Sequence, residues 1–197
     1  MRRPFLFYMD SLLLTHGAGG NRNAPLLVAL ANAFAETGVE VVRYDLPFRQ
    51  VRAKGPPRPG DAARDREGLK QEIQKLRQKG TEHVWMGGQS YGGRQSSILA
   101  AEEPELVDRL LLLSYPLHAP GKPDQLRTAH FPKLTMPVLF VHGSRDPFGT
   151  HEEMRKAIKL IPGLVELMEA EGVGHDLGRK HEALVQKIVN QWAVMRR

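Results

Sequence analysis

The sequence predicts an α/β protein: a doubly wound, mostly parallel sheet of about six strands with helices on both faces. Three observations carry this. Short apolar runs alternate with amphipathic helical stretches along the chain, the order that parallel βαβ units leave in a sequence. The runs are apolar throughout rather than every second residue, as in strands buried on both faces. Polar segments rich in Gly and His follow the runs, where ligand sites of open parallel sheets form.

Residues 1–10 read as a poorly specified lead-in. Leu12 to Thr15 is the first short apolar run, and it ends in His16-Gly17-Ala18-Gly19-Gly20-Asn21. Asn23 to Glu36 has helical periodicity in Leu26, Leu27, Leu30, Ala31 and Phe34, with Pro25 in the first turn and Gly38 as a stop. Val39 to Tyr44 is a second strand, followed by Asp45-Leu46-Pro47-Phe48. Residues 49–60 are basic and rich in Pro, so no regular structure is expected there. Asp61 to Lys79 is an amphipathic helix with Leu69, Ile73 and Leu76 on one stripe. His83 to Met86 is a strand, and the helix after it ends near Pro104. Arg109 to Ser114 is a further strand, residues 115–136 a loop, and Val138 to His142 a strand. Thr150 to Leu160 reads as a helix, Val165 to Glu169 as a strand, and His181 to Met195 as a closing helix. The expectation is a single domain over residues 1–197, with Trp85, Met86 and Trp192 in its core.

The chain is organised around Gly88-Gln89-Ser90-Tyr91-Gly92, a G-x-S-x-G pattern between a strand and a helix. A serine on so sharp a turn is held in a strained conformation and needs very small neighbours, which Gly88 and Gly92 supply. Two further residues follow strands: Asp146, in His142-Gly143-Ser144-Arg145-Asp146, and His175, in Gly174-His175-Asp176. A serine hydroxyl is a weak nucleophile and needs a base to take its proton. A histidine supplies the base, and a carboxylate fixes the tautomer and stabilises the imidazolium. The order Ser90, Asp146, His175 is that of an α/β-hydrolase triad. Asp176 is the rival acid, but it directly follows the histidine in the chain. An oxyanion hole needs two N–H donors, expected from Tyr91, the residue after the nucleophile, and from Ala18 in the loop after the first strand. That loop lacks G-x-x-x-x-G-K-[ST] and G-x-G-x-x-G, so nucleotide binding is not indicated.

These segments, with Arg43-Tyr44-Asp45-Leu46-Pro47-Phe48 and Ser114-Tyr115-Pro116-Leu117-His118, resemble a small, lidless α/β-hydrolase related to the dienelactone hydrolase family. The similarity is greatest to a little-characterised bacterial group of predicted hydrolases and covers most of the chain from residue 12. It implies a serine-hydrolase fold with Ser90, Asp146 and His175 at the triad positions; the chain departs from it in lacking the first two strands of the full eight-stranded form, with residues 1–10 as a remnant. Dienelactone hydrolases resemble this fold but use a cysteine nucleophile. This chain has no cysteine, so their substrate is not implied. Relatives of this group include non-enzymatic members, which makes a non-catalytic interaction module the alternative.

Composition sets the remaining bounds. Hydrophobic residues are 41% and charged residues 25%, ordinary for a soluble globular protein. The absence of cysteine excludes disulfides and thiolate metal sites and fits a cytoplasmic protein. No apolar run suggests a membrane helix, and Phe5 to Leu14 is broken by Asp10 and lacks a signal-peptide cleavage site. The formal charge of +6 raises nucleic acid as a partner, but the basic residues are dispersed. The local exception, Arg49, Arg52, Lys54 and Arg58, reads as a solvated loop or an anion-steering rim. Arg94 lies one helical turn beyond Ser90. It is expected to pair with Asp45 at a neighbouring strand end, or to bind a substrate carboxylate. His16, Gly17 and His118 are candidate substrate contacts. His16, His118 and His142 lie on different loops without H-E-x-x-H, so no metal is expected. The expected activity is hydrolysis of a small-molecule ester or related acyl compound. No cofactor, nucleic acid or membrane partner is expected, and the chain should be a monomer or homodimer.

Overall fold

A computed structural model describes residues 10–178 and 182–195. Its strands are β1 (Asp10–Thr15), β2 (Val39–Tyr44), β3 (His83–Gln89), β4 (Arg109–Leu113), β5 (Val138–Gly143) and β6 (Val165–Ala170). They form one sheet in the order β2-β1-β3-β4-β5-β6, with every pairing parallel. The helices are α1 (Pro25–Glu36), α2 (Pro47–Val51), α3 (Asp61–Gln78), α4 (Tyr91–Glu102), α5 (His151–Ala157) and α6 (Glu182–Val194).

The strands separate the core into two layers, because successive side chains leave a strand on opposite faces. Leu13, Val84, Met86, Leu110, Leu112, Val138 and Phe140 pack with α3, α4 and α5 on one face. Leu12, Leu14, Trp85, Leu111, Leu113, Leu139 and Val141 pack with α1 and α6 on the other. Both faces are covered, which is why the strands read as unbroken apolar runs. Each fully buried Leu or Val contributes about 1.5–3 kcal/mol before conformational entropy is counted. Trp85, Met86 and Trp192 are core residues. Trp192 packs edge-to-face on both Trp85 and Phe34 and so ties α6 to the sheet and to α1.

Several boundaries differ from the sequence reading, each for a local reason. Asp10 belongs to β1, not to a lead-in, because it pairs with Val39 and His83; residues 1–9 lie outside the described residues. Strand β3 runs on through Gly87, Gly88 and Gln89, because these residues pair with β1 and β4. Residues 49–60 are not wholly irregular, since Arg49 to Val51 complete α2, which Pro47 opens at its first position. Helix α5 begins after Thr150, whose side chain forms a capping box with Glu153. A 3₁₀ turn, Ile158–Leu160, replaces its expected last turn. The expected start of the last helix, His181, lies outside the described residues.

The chain moves outward from β1 to β2, then crosses back to β3 on the other side of β1. The winding direction reverses there, and the carboxyl ends of β1 and β3 open a crevice. The His16–Asn21 loop leaves one of those ends and Ser90 leaves the other.

Candidate active site

Ser90 joins β3 to α4 with φ 51° and ψ −115°, a conformation that L residues rarely hold. The turn is kept tight from both sides. The Ser90 N–H donates to the Leu113 carbonyl at 2.8 Å, and the Arg94 N–H donates to the Ser90 carbonyl at 2.9 Å. A Cβ on Gly88 would lie 2.8 Å from the Thr15 carbonyl oxygen, and one on Gly92 would overlap the His16 carbonyl. Both obstacles are backbone of β1 and its loop, which cannot swing aside. Gly92→Ala is therefore expected to lower unfolding stability by about 1–3 kcal/mol, the usual cost of overpacking. At Gly19 a Cβ meets nothing within 4 Å, so Gly19→Ala should be close to neutral. Urea denaturation of the two variants checks the contrast.

Three of the expected side chains converge. His175 Nε2 lies 2.7 Å from Ser90 Oγ, and His175 Nδ1 lies 2.8 Å from Asp146 Oδ2. A carboxylate only accepts, so Nδ1 carries the hydrogen and Nε2 accepts from the serine hydroxyl. The other Asp146 oxygen accepts the Phe148 N–H at 2.9 Å, and the carboxylate is buried. His142 lies behind it, donating from Nε2 to the Gly149 carbonyl at 2.7 Å. Burial holds His142 below the ordinary histidine range. Asp176 is exposed and turned to its own loop, where Oδ1 accepts the Gly178 N–H at 3.0 Å.

Facing Ser90 is the loop after β1. Gly17 passes so close that a Cβ there would touch Ser90 Cβ at 3.4 Å. The Gly17 carbonyl accepts from His16 Nδ1 at 2.8 Å and from the Gly20 N–H at 3.0 Å. Carbonyl and N–H of one trans peptide point in opposite directions. The Ala18 N–H, on the same peptide as that carbonyl, therefore points away from these donors, and Ala18 lines the cleft. On the other side of the turn, the Tyr91 N–H belongs to the first turn of α4, where no helical carbonyl reaches it.

A cleft of about 560 Å³ runs between these parts. It is lined by Gly17 to Gly20, Gln89, Ser90, Pro147, Phe148, His175 and Asp176. Phe148 stacks on the His175 imidazole with ring centroids 4.1 Å apart, an aromatic wall that the sequence reading did not single out. Its signal was its position two residues after Asp146.

Other expected contacts lie elsewhere. His16 is fully buried behind the loop, with Nε2 accepting the Leu46 N–H at 3.2 Å. One ring nitrogen donates and the other accepts, so the imidazole is neutral, and burial lowers its proton affinity. His118 is buried, with Nδ1 on the Ala119 carbonyl at 2.8 Å and Nε2 3.4 Å from Glu153; it does not line the cleft. Arg94 does not pair with Asp45. Asp45 Oδ1 accepts the Arg22 N–H at 2.6 Å, and Arg22 Nε is 3.6 Å from Oδ2. The reason is the strand order: β2 lies beyond β1, while Arg94 faces the loop after β4.

Arg49 is neither solvated nor a rim. It is buried, with Nη2 donating to the Ala18 carbonyl at 2.7 Å and to the Gly55 carbonyl at 3.0 Å. Nη1 donates to the Arg52 carbonyl at 3.1 Å, and the guanidinium lies 4.9 Å over the Phe48 ring. Phe48 in turn meets His16 and Tyr91 edge-on, each at 5.7 Å. Tyr91 Oη donates to Asp65 at 2.7 Å, and burial, then this bond, raises the phenol above its usual range. Helices α2 and α3 thus brace both sides of the Ser90 crevice from behind. Among the described residues, no group of three or more His, Cys, Asp or Glu is placed to hold a metal ion.

An alpha/beta hydrolase domain is matched over residues 9–194. The chain belongs to the α/β-hydrolase family. Solved α/β-hydrolase structures overlay on it closely. Est1E from Butyrivibrio proteoclasticus, with ferulic acid bound, aligns with TM-score 0.77 at 18% identity over 98% of this chain and 92% of its own. An alpha-beta serine hydrolase homologue from Coxiella burnetii gives 0.75 at 22% identity, covering 93% and 85%. A dienelactone hydrolase from Anabaena variabilis gives 0.73 at 20% identity, covering 94% and 86%. At such identities the α/β-hydrolase fold is what is shared. No described helix is long and apolar enough to cross a membrane.

Proposed function

We propose that this α/β-hydrolase is a serine hydrolase acting on esters or related acyl compounds through an acyl-enzyme. The observation that supports it is the unbroken relay from Ser90 Oγ through His175 to Asp146, at 2.7 and 2.8 Å. Ser90 Oγ attacks the acyl carbon while its proton passes to His175 Nε2. Asp146 stabilises the imidazolium and holds the ring in the tautomer that accepts at Nε2. The tetrahedral oxyanion is received by the N–H groups of Ala18 and Tyr91. His175 then returns the proton to the departing alcohol, leaving the acyl group on Ser90. Water enters, gives a proton to His175 and attacks the acyl carbon. Collapse of the second intermediate releases the acid and restores the Ser90 hydroxyl.

The cleft is open and shallow beside Ser90, which favours short or accessible acyl groups. Ferulic acid is the ligand of the Butyrivibrio neighbour. An aromatic acyl group against Phe148 is the corresponding proposal here.

Labelling with a fluorophosphonate probe tests the reading. The probe needs a nucleophilic serine and an oxyanion site but no knowledge of the substrate. The wild-type protein should be labelled and Ser90→Ala should not. A folded wild type that takes no label would leave the chain a non-catalytic scaffold.

A further inference from the structure

Beside α4, on the side of the loop after β4, lies a cluster that the relay does not use. Arg94 Nε is buried without a hydrogen-bond partner. The Arg94 guanidinium lies against the Tyr115 hydroxyl, and the Tyr115 hydroxyl donates to the Arg127 carbonyl at 2.6 Å. The only hydrogen bond of the Arg127 guanidinium among the described residues runs from Nη1 to the Pro116 carbonyl at 3.3 Å. Neither arginine forms an ion pair among the described residues.

The rest of the cluster adds no negative charge. The Ser97 hydroxyl donates its one hydrogen to the Arg94 carbonyl at 2.9 Å, so it accepts from His130 Nε2 at 2.9 Å. Burial, then the charge of Arg94, pushes His130 down to about 4, so the imidazole is neutral near pH 7. Burial and the same charge also lower Arg127. Two half-buried cations thus share this cluster, and no carboxylate among the described residues pairs with either.

We propose that Arg94 and Arg127 form a binding site for a multi-oxygen anion, a carboxylate or a phosphate. A guanidinium fork matches such groups with two parallel hydrogen bonds, and here one donor, Arg94 Nε, is left over and desolvated. The site is separate from the cleft that Ser90 lines, yet Arg94 is one turn of α4, about 6 Å of rise, from Ser90. The proposal does not depend on the serine-hydrolase reading, because it concerns binding alone.

Calorimetric titration with inorganic phosphate, and separately with succinate, at ionic strength matched with chloride, tests it. Wild type should bind at least one of the two, and which one binds tells phosphate from carboxylate. Arg94→Met and Arg127→Met should each weaken that binding by about 10- to 100-fold, the loss of one charge-assisted contact. Arg94→Met should also melt no lower than wild type in chloride, because it removes a buried donor that has no partner. If Arg94→Met does not fold, Arg127→Met carries the test alone. Absence of binding of both anions by wild type, or equal binding by the variants, overturns the proposal.

Discussion

Ser90→Ala should reduce hydrolysis of p-nitrophenyl acetate by on the order of 10⁴- to 10⁶-fold in kcat, with little change in KM. The substitution removes one oxygen and leaves the turn in place. The Ser90 N–H still reaches Leu113, and the loop glycines opposite are untouched. Residual turnover would come from the oxyanion donors alone, acting on a water attacking without covalent help. Wild-type turnover in this variant would remove Ser90 as the nucleophile.

Asp146→Asn should lower kcat by on the order of 10³- to 10⁴-fold while the protein stays folded, as wrong-tautomer substitutions do in serine proteases. The asparagine carbonyl can still accept the Phe148 N–H that Asp146 Oδ1 accepts now. Its NH₂ then faces His175 Nδ1, which must accept, so Nε2 carries the hydrogen and points a donor at Ser90. Asp176→Asn is the control. It is exposed, and an amide oxygen can keep the Gly178 contact, so a change of about twofold is expected. Steady-state kinetics of both variants decide the assignment; a severe Asp176 effect beside a mild Asp146 one would reverse it.

The sheet and helices were legible because two-sided burial leaves unbroken apolar runs, such as Leu110 to Leu113 in β4. The Ser90 turn was legible because its steric demand falls on adjacent residues in the chain. What escaped depends on residues distant in sequence. Arg49 sits in a basic, proline-rich stretch and resembles a surface charge, yet three backbone carbonyls take it inside. Pro47 opens α2, but the prolines that follow obscure so short a helix in the sequence. The sequence offers Asp45, at a strand end, as the partner that a buried Arg94 needs. Which strand ends are neighbours is set by the sheet order, and β2 lies outside β1. Phe148 gave no periodic signal because its partner is a loop imidazole.

The peptide between Gly17 and Ala18 has one further implication. His16 and Gly20 hold its carbonyl, and Arg49 holds the next one. If the chain is the serine hydrolase proposed above, contacts within the protein itself fix the direction of this dipole. The electrostatic work of orienting the dipole is done during folding rather than at each turnover. Substitutions at Arg49, which lies outside the cleft, would then act on the rate through the position of this loop.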